Sequence, residues 1–101
     1  MDGAAPDAVI VTGAGRGIGR AAALAMAEQG VPVLCISRSA SAHATADVIR
    51  ERASRADSLA VDLANHAQVE SEVASWIAAR PYRRLGVVLA AAELGPAGPL
   101  A

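Results

Sequence analysis

Four glycines stand within seven positions in Gly13-Ala-Gly-Arg-Gly-Ile-Gly19, directly after the apolar run Ala8-Val-Ile-Val-Thr12. A strand, a glycine-rich turn and the start of a helix together make an anion site. The first helical turn leaves backbone N–H groups unpaired, and the helix dipole favours negative charge there. Glycine lets the backbone turn sharply and come close to a phosphate. The spacing excludes two phosphate-binding patterns. A P-loop needs Gly-x-x-x-x-Gly-Lys, and all nine basic residues of this chain are arginines. Gly-x-Gly-x-x-Gly also fails, because Ile18 counted from Gly13, and Arg20 counted from Gly15, stand where its third glycine belongs. What remains is Thr12 followed by Gly13-x-x-x-Gly17-x-Gly19, whose plain alternative is an ordinary tight strand-to-helix turn.

The elements that must position this turn alternate between apolar runs and helical patterns, which predicts an α/β fold with a parallel sheet. The first strand covers residues 8–12, and its unbroken apolar character suits burial on both faces. An alanine-rich helix runs from Ile18 to Gln29, closed by Gly30 at a left-handed C-terminal position. Val31 to Ile36 reads as the second strand, with Pro32 at its entrance. Ser37, Ser39 and Ser41 offer caps to a helix over residues 42–53 that carries Val48 and Ile49 on one face. Ser58 to Val61 is a short third strand ending at Asp62. Asn65 and Gln68 form a variant capping box, opening a helix striped by Val69, Val73, Trp76 and Ile77 and stopped by Pro81. Leu85 to Ala92 is the fourth strand, and residues 93–99 form a loop by composition.

Thr12-Gly-Ala-Gly-Arg-Gly-Ile-Gly19 resembles the cofactor signature of the short-chain dehydrogenase/reductase family, and two further segments match in order. Val61-Asp-Leu63 is similar to the family's adenine-contacting segment. Residues 85–93 sit where the family has its fourth strand and an Asn-Asn-Ala-Gly turn. The resemblance implies a Rossmann-type doubly wound parallel sheet in the order 3-2-1-4, truncated to about four strands with flanking helices. Residues 1–101 are then a partial dinucleotide-binding domain without the family's catalytic C-terminal half. The cofactor contacts so implied are Thr12, Gly13, Arg16, Gly17, Ile18 and Gly19 at the glycine turn, Ser37 and Arg38 after the second strand, Asp62 and Leu63 after the third, and Ala90 and Ala92 at the fourth-strand turn.

In dinucleotide folds an acid at the end of the second strand bonds the ribose 2′-hydroxyl, whereas a nearby arginine accommodates a 2′-phosphate. Here Ser37 takes the acid's place and Arg38 follows it. With Arg16 in the glycine turn, the pair resembles the family's NADP-preferring pattern, with NAD less expected; the alternative is two solvated loop arginines. For Asp62 the alternative is a helix N-cap.

The sequence also departs from the family. Ala90 and Ala91 replace the two asparagines and Glu93 takes the glycine position, so only a backbone contact survives at Ala90, and a Glu93 turned to the cofactor would weaken binding. The family's chemistry uses a serine and a Tyr-x-x-x-Lys pair. The single tyrosine, Tyr82, precedes the fourth strand and reads as a surface residue, and no serine follows Ser75. His43 and His66 lack ligand spacing and read as solvated, Trp76 as core packing, and Cys35 as a buried thiol. No catalytic and no metal-binding residue is therefore expected. The functional expectation is the NADP-binding half of an oxidoreductase that passes hydride between nicotinamide and a carbonyl or alcohol. The alternative is a non-catalytic NADP-binding module or decayed pseudoenzyme.

Composition narrows the remaining classes. With 53% hydrophobic and 19% charged residues, a net charge of −1 and only two aromatics, the chain has no basic stripe or stacking platform for nucleic acid and no apolar run that could span a membrane. No signal peptide is recognisable, so a cytoplasmic globular protein is expected. Val87, Val88 and Leu89 would form an uncovered apolar edge, predicting poor solubility or marginal stability. A homo-oligomer is expected only of an intact full-length form.

Overall fold

The computed structural model describes residues 6–52, 54–79 and 83–89. Strands β1 (Ala8–Thr12), β2 (Val33–Ser37), β3 (Ala56–Ala60) and β4 (Leu85–Leu89) pair in parallel in the order β3-β2-β1-β4. Helices α1 (Gly17–Glu28), α2 (Ser41–Glu51) and α3 (His66–Ala78) make the connections. This is the Rossmann-type order expected from the sequence.

Both faces of the sheet are covered, which is why β1 and β2 read as unbroken apolar runs. Val9, Val11, Val33 and Cys35 face α1 and α2, meeting Ala23 and Ala27 of the first helix and Ala42, Ala46 and Ile49 of the second. Ile10, Leu34 and Ile36 face the other way, against Val69, Val73 and Trp76 of α3. Gly19, Ala23 and Ala27 recur every fourth residue along the buried side of α1. Their small size lets the helix lie close on the sheet.

Several boundaries move for identifiable reasons. Strand β2 starts at Val33 rather than Val31, because Val31 still belongs to the exit of α1, its N–H donating to the Met26 carbonyl at 3.3 Å. Strand β3 starts at Ala56, two residues before the expected Ser58, since Val33 pairs with Ala56 in the ladder. The buried stripe of α2 is Ala42, Thr45, Ala46 and Ile49, while Val48 is only half-buried. In α3 the expected stripe exists but none of it is fully buried. The Trp76 indole N–H donates to Asp57 at 2.7 Å, so this ring carries a polar link as well as packing. The Asn65 side-chain Oδ1 accepts from the Gln68 N–H at 3.3 Å, and its Nδ2 donates to the Gln68 side-chain Oε1 at 3.1 Å. The capping box thus closes side chain to side chain on its second arm.

Strand β4 is tied to β1 at its entrance. The Asp7 carboxylate accepts from the backbone N–H of Arg83 at 2.9 Å and of Arg84 at 3.1 Å, and the Asp7 N–H donates to the Arg84 carbonyl at 2.8 Å. The two backbone donors hold this carboxyl below its ordinary pKa. Beyond β1 the cover thins. Val87, paired with Ile10, is 57% exposed, whereas Val88 on the opposite face packs against the first cluster. Tyr82, Ala90, Ala91, Ala92 and Glu93 lie outside the described residues.

Candidate functional site

The glycine turn sits at the C-terminal end of β1, and each of its glycines has its own reason to lack a side chain. Gly13 and Gly17 adopt φ of 62°, the left-handed region that favours glycine. At Gly19 an added Cβ would stand 2.0 Å from the Gly13 carbonyl oxygen, so the first turn of α1 rests directly on the loop. At Gly15 it would stand 1.8 Å from the Ser41 hydroxyl oxygen. At Gly17 the missing side chain faces open space, with nothing within 4 Å. The bare backbone at the start of α1 is therefore accessible from outside.

That helix start is receptive to an anion. Arg16 occupies the N-cap in an extended conformation without a side-chain capping bond, and the first turn contains no acid. Ile18 lies on this outer surface, 74% exposed.

The turn is held from behind by two other elements. The Ala14 N–H donates to the Ile36 carbonyl of β2 at 3.0 Å, and the Ala14 carbonyl accepts from the Thr45 hydroxyl of α2 at 2.8 Å. Ala14 and Thr45 are both fully buried. An unpaired carbonyl in such a place costs about 1–3 kcal/mol, so the threonine fixes the turn as well as filling space. Thr12 is buried too, its hydroxyl donating to the Val88 carbonyl at 3.4 Å across to β4. It frames the site from below.

Ser37 ends β2 and is buried, its hydroxyl donating to the Ser39 carbonyl at 2.6 Å and accepting from the Ala42 N–H at 2.9 Å. The Ser39 hydroxyl accepts from the Ser41 N–H at 3.3 Å. These serines satisfy the first turn of α2 although the N-cap position itself is Ala40. Around this knot, Gly15, Arg16, Arg38, Ser39 and Ser41 line one groove of about 250 Å³. Arg16 from the glycine turn and Arg38 from the β2 exit thus border the same groove, and a guanidinium fork is suited to a phosphate.

At the end of β3 the Val61 N–H donates to the Ser37 carbonyl at 2.8 Å, which holds this exit beside that of β2. Asp62 is exposed; its carboxylate accepts from the Ala64 N–H at 2.9 Å and its carbonyl from the Asn65 N–H at 2.8 Å. The N-cap of α3 is Asn65, so Asp62 shapes the preceding turn and does not cap the helix. Leu63 next to it is 37% exposed. The glycine turn, Ser37, Arg38, Asp62 and Leu63 are accordingly gathered at the C-terminal ends of three adjacent strands, where open α/β sheets bind ligands.

The chain matches the short chain dehydrogenase family over residues 7–100. It belongs to that family. An uncharacterized oxidoreductase of Mycobacterium tuberculosis is 41% identical over 81 residues, which make up 79% of this chain and 30% of the relative. Among solved structures, a citronellol catabolism dehydrogenase of Pseudomonas aeruginosa PAO1 is 35% identical with a TM-score of 0.69, covering 73% of this chain and 31% of the other. A metagenomic short-chain oxidoreductase in complex with NADP is 29% identical with a TM-score of 0.70, covering 82% and 37%. The chain therefore spans about a third of the length of these short-chain dehydrogenase relatives.

Four participants were not legible in the sequence: Gly15, Ser39 and Ser41 as parts of the groove, and Thr45 behind the turn. Gly15 falls on an unspecified position of the Gly13-x-x-x-Gly17-x-Gly19 pattern, and its partner lies on another helix. The one available signal for Thr45 was a hydroxyl residue flanked by alanines at the helical spacing of Ala42 and Ile49. His43 is exposed as expected, yet its Nδ1 is within hydrogen-bond reach of the Ser58 hydroxyl, linking α2 to β3. Cys35 lies in the core away from this surface, and burial pushes its thiol pKa up to about 11. Among the described residues, no cluster of His, Cys, Asp or Glu is arranged to hold a metal ion, and no helix is long and apolar enough to cross a membrane.

Proposed function

We propose that these residues form the NADP-binding part of an oxidoreductase that transfers hydride between a nicotinamide and a carbonyl or alcohol substrate. The observation that carries the reading is the convergence of Arg16 and Arg38 on one groove beside the open backbone at Gly17. In it, Gly13, Gly17, Ile18 and Gly19 hold the pyrophosphate at the start of α1, Arg16 and Arg38 take the 2′-phosphate, and Asp62 and Leu63 border the adenine. Ala90 and Ala92 stand as backbone contacts by resemblance alone. NADP is preferred over NAD because no acid stands at the β2 exit to bond a free 2′-hydroxyl, while Arg16 and Arg38 border the groove beside it. The NADP complex of the metagenomic relative supports this choice. The cofactor, when bound, would give the hydride to a carbonyl in its reduced form or take it from an alcohol in its oxidised form.

The 101 residues contain no lysine, so the family's Tyr-x-x-x-Lys chemistry has no place within them. In this reading they form a partial domain that binds and orients the dinucleotide and contributes no proton-transfer group. Calorimetric titration of the chain with NADPH and NADH tests the reading. NADPH is expected to bind at least about tenfold more tightly, and Arg38→Ala to remove that margin, since a hydrogen bond to a charged group is worth about 1.5–3 kcal/mol. Equal binding of the two cofactors would overturn the NADP assignment. Carbonyl reduction by the purified chain would overturn the division of labour.

A further inference from the structure

We propose that Thr45 is a positioning residue for the phosphate-binding turn, and that α2, through it, holds the turn in its binding conformation. The inference rests on the cofactor reading above. Its basis is a complete account of the Ala14 peptide groups. The N–H goes to Ile36 on β2 and the carbonyl to the Thr45 hydroxyl on α2. Both residues are fully buried, so water cannot replace the hydroxyl. Four residues earlier, on the same side of α2, Ser41 fills the space beside Gly15 that any Cβ would take. Two successive residues of the turn, Ala14 and Gly15, are thus gripped by one helical turn of α2. Gly13 and Gly17, with their left-handed backbones, flank the gripped pair. Their conformations are free to relax if the grip is lost, because glycine meets no steric penalty in leaving them.

The consequence is specific to the pyrophosphate. Without the hydroxyl, the Ala14 carbonyl either stays unpaired or rotates outward and carries the neighbouring N–H groups with it. A ligand held by those groups loses affinity, whereas one held only by Arg16 and Arg38 does not. The test uses the 101-residue chain, its T45V variant of equal shape, and T45S, which restores the hydroxyl. Two probes are titrated by NMR: NADP, which has the pyrophosphate, and 2′-AMP, which has the 2′-phosphate and adenine without it. T45V is expected to weaken NADP about tenfold and 2′-AMP less than about twofold, with T45S restoring most of the loss.

Amide hydrogen exchange on the ligand-free proteins gives an independent readout. The Ala14 N–H is expected to exchange faster in T45V than in T45S, while the Val73 N–H in α3 stays unchanged. Equal losses for NADP and 2′-AMP, or unchanged Ala14 protection in a folded T45V, would overturn the inference. If the unmodified chain binds neither probe, the cofactor reading itself falls together with the ligand half of this inference. The exchange result then judges the grip of α2 on the turn by itself.

Discussion

A methyl group added at Gly19 would stand 2.0 Å from a backbone oxygen that cannot move without moving the whole turn, whereas one added at Gly17 meets nothing within 4 Å. The two substitutions therefore separate steric from conformational cost. Gly17→Ala retains the fold and loses about 1–2 kcal/mol from its left-handed backbone, while Gly19→Ala loses more and displaces α1 from the turn. Denaturant unfolding of both variants checks the order, and a larger loss for Gly17→Ala would contradict it. Cys35 gives a second prediction at this scale. Its thiol stays protonated in the fold up to about pH 11, while in the unfolded chain it ionises near the ordinary 9.0. The stabilisation is thus complete below pH 9 and lost as pH rises through the folded value. Cys35→Ala is expected to flatten the alkaline limb of a melting-temperature profile. The glycines at 13, 17 and 19 were legible because strand, turn and helix follow one another in sequence. Gly15 was not, because the side chain that fills its missing Cβ comes from Ser41, twenty-six residues on.

Among the elements, β4 depends on one acid for its entrance to the sheet. Asp7 accepts two backbone N–H groups there, and its carboxyl is held below the ordinary 3.8. For a lowered pKa the sign is opposite to that of Cys35: the stabilisation is present above pH 3.8 and lost as pH falls through the folded value. Asp7→Asn is expected to melt lower at neutral pH and to lose less than the unmodified chain on acidification to pH 2. A parallel shift of the two profiles would remove Asp7 from the account. Helix α2 shows what periodicity leaves undecided. Alanines on all sides blur its apolar stripe, and the expected Val48 face is in fact half-buried, while Ile49 lies fully in the core. Truncating Ile49 to alanine is expected to cost about 2–5 kcal/mol, read from chemical denaturation.

At the scale of the whole molecule, the alternation of apolar runs and helices made the parallel α/β sheet with flanking helices legible, while the order β3-β2-β1-β4 was legible through the family resemblance. The exposure of β4 was legible only in part. Val87 stands uncovered beside Ile10, but Val88 is packed against the first cluster. An exposed apolar residue on an edge strand invites association between chains, and a lysine there is a common natural remedy. Val87→Lys is expected to raise the monomer fraction in sedimentation velocity, and an unchanged distribution would show that this edge does not drive association. The central position of β1 has a further meaning in time. A growing chain releases β1, α1, β2, α2 and β3 by residue 60, and with them Ile36 and Thr45, which hold the phosphate turn. The remaining neighbour of β1 arrives only at Leu85. During synthesis the cradle is thus fastened on one flank while the other flank of its strand lies bare, so the binding turn can be finished before the sheet that carries it.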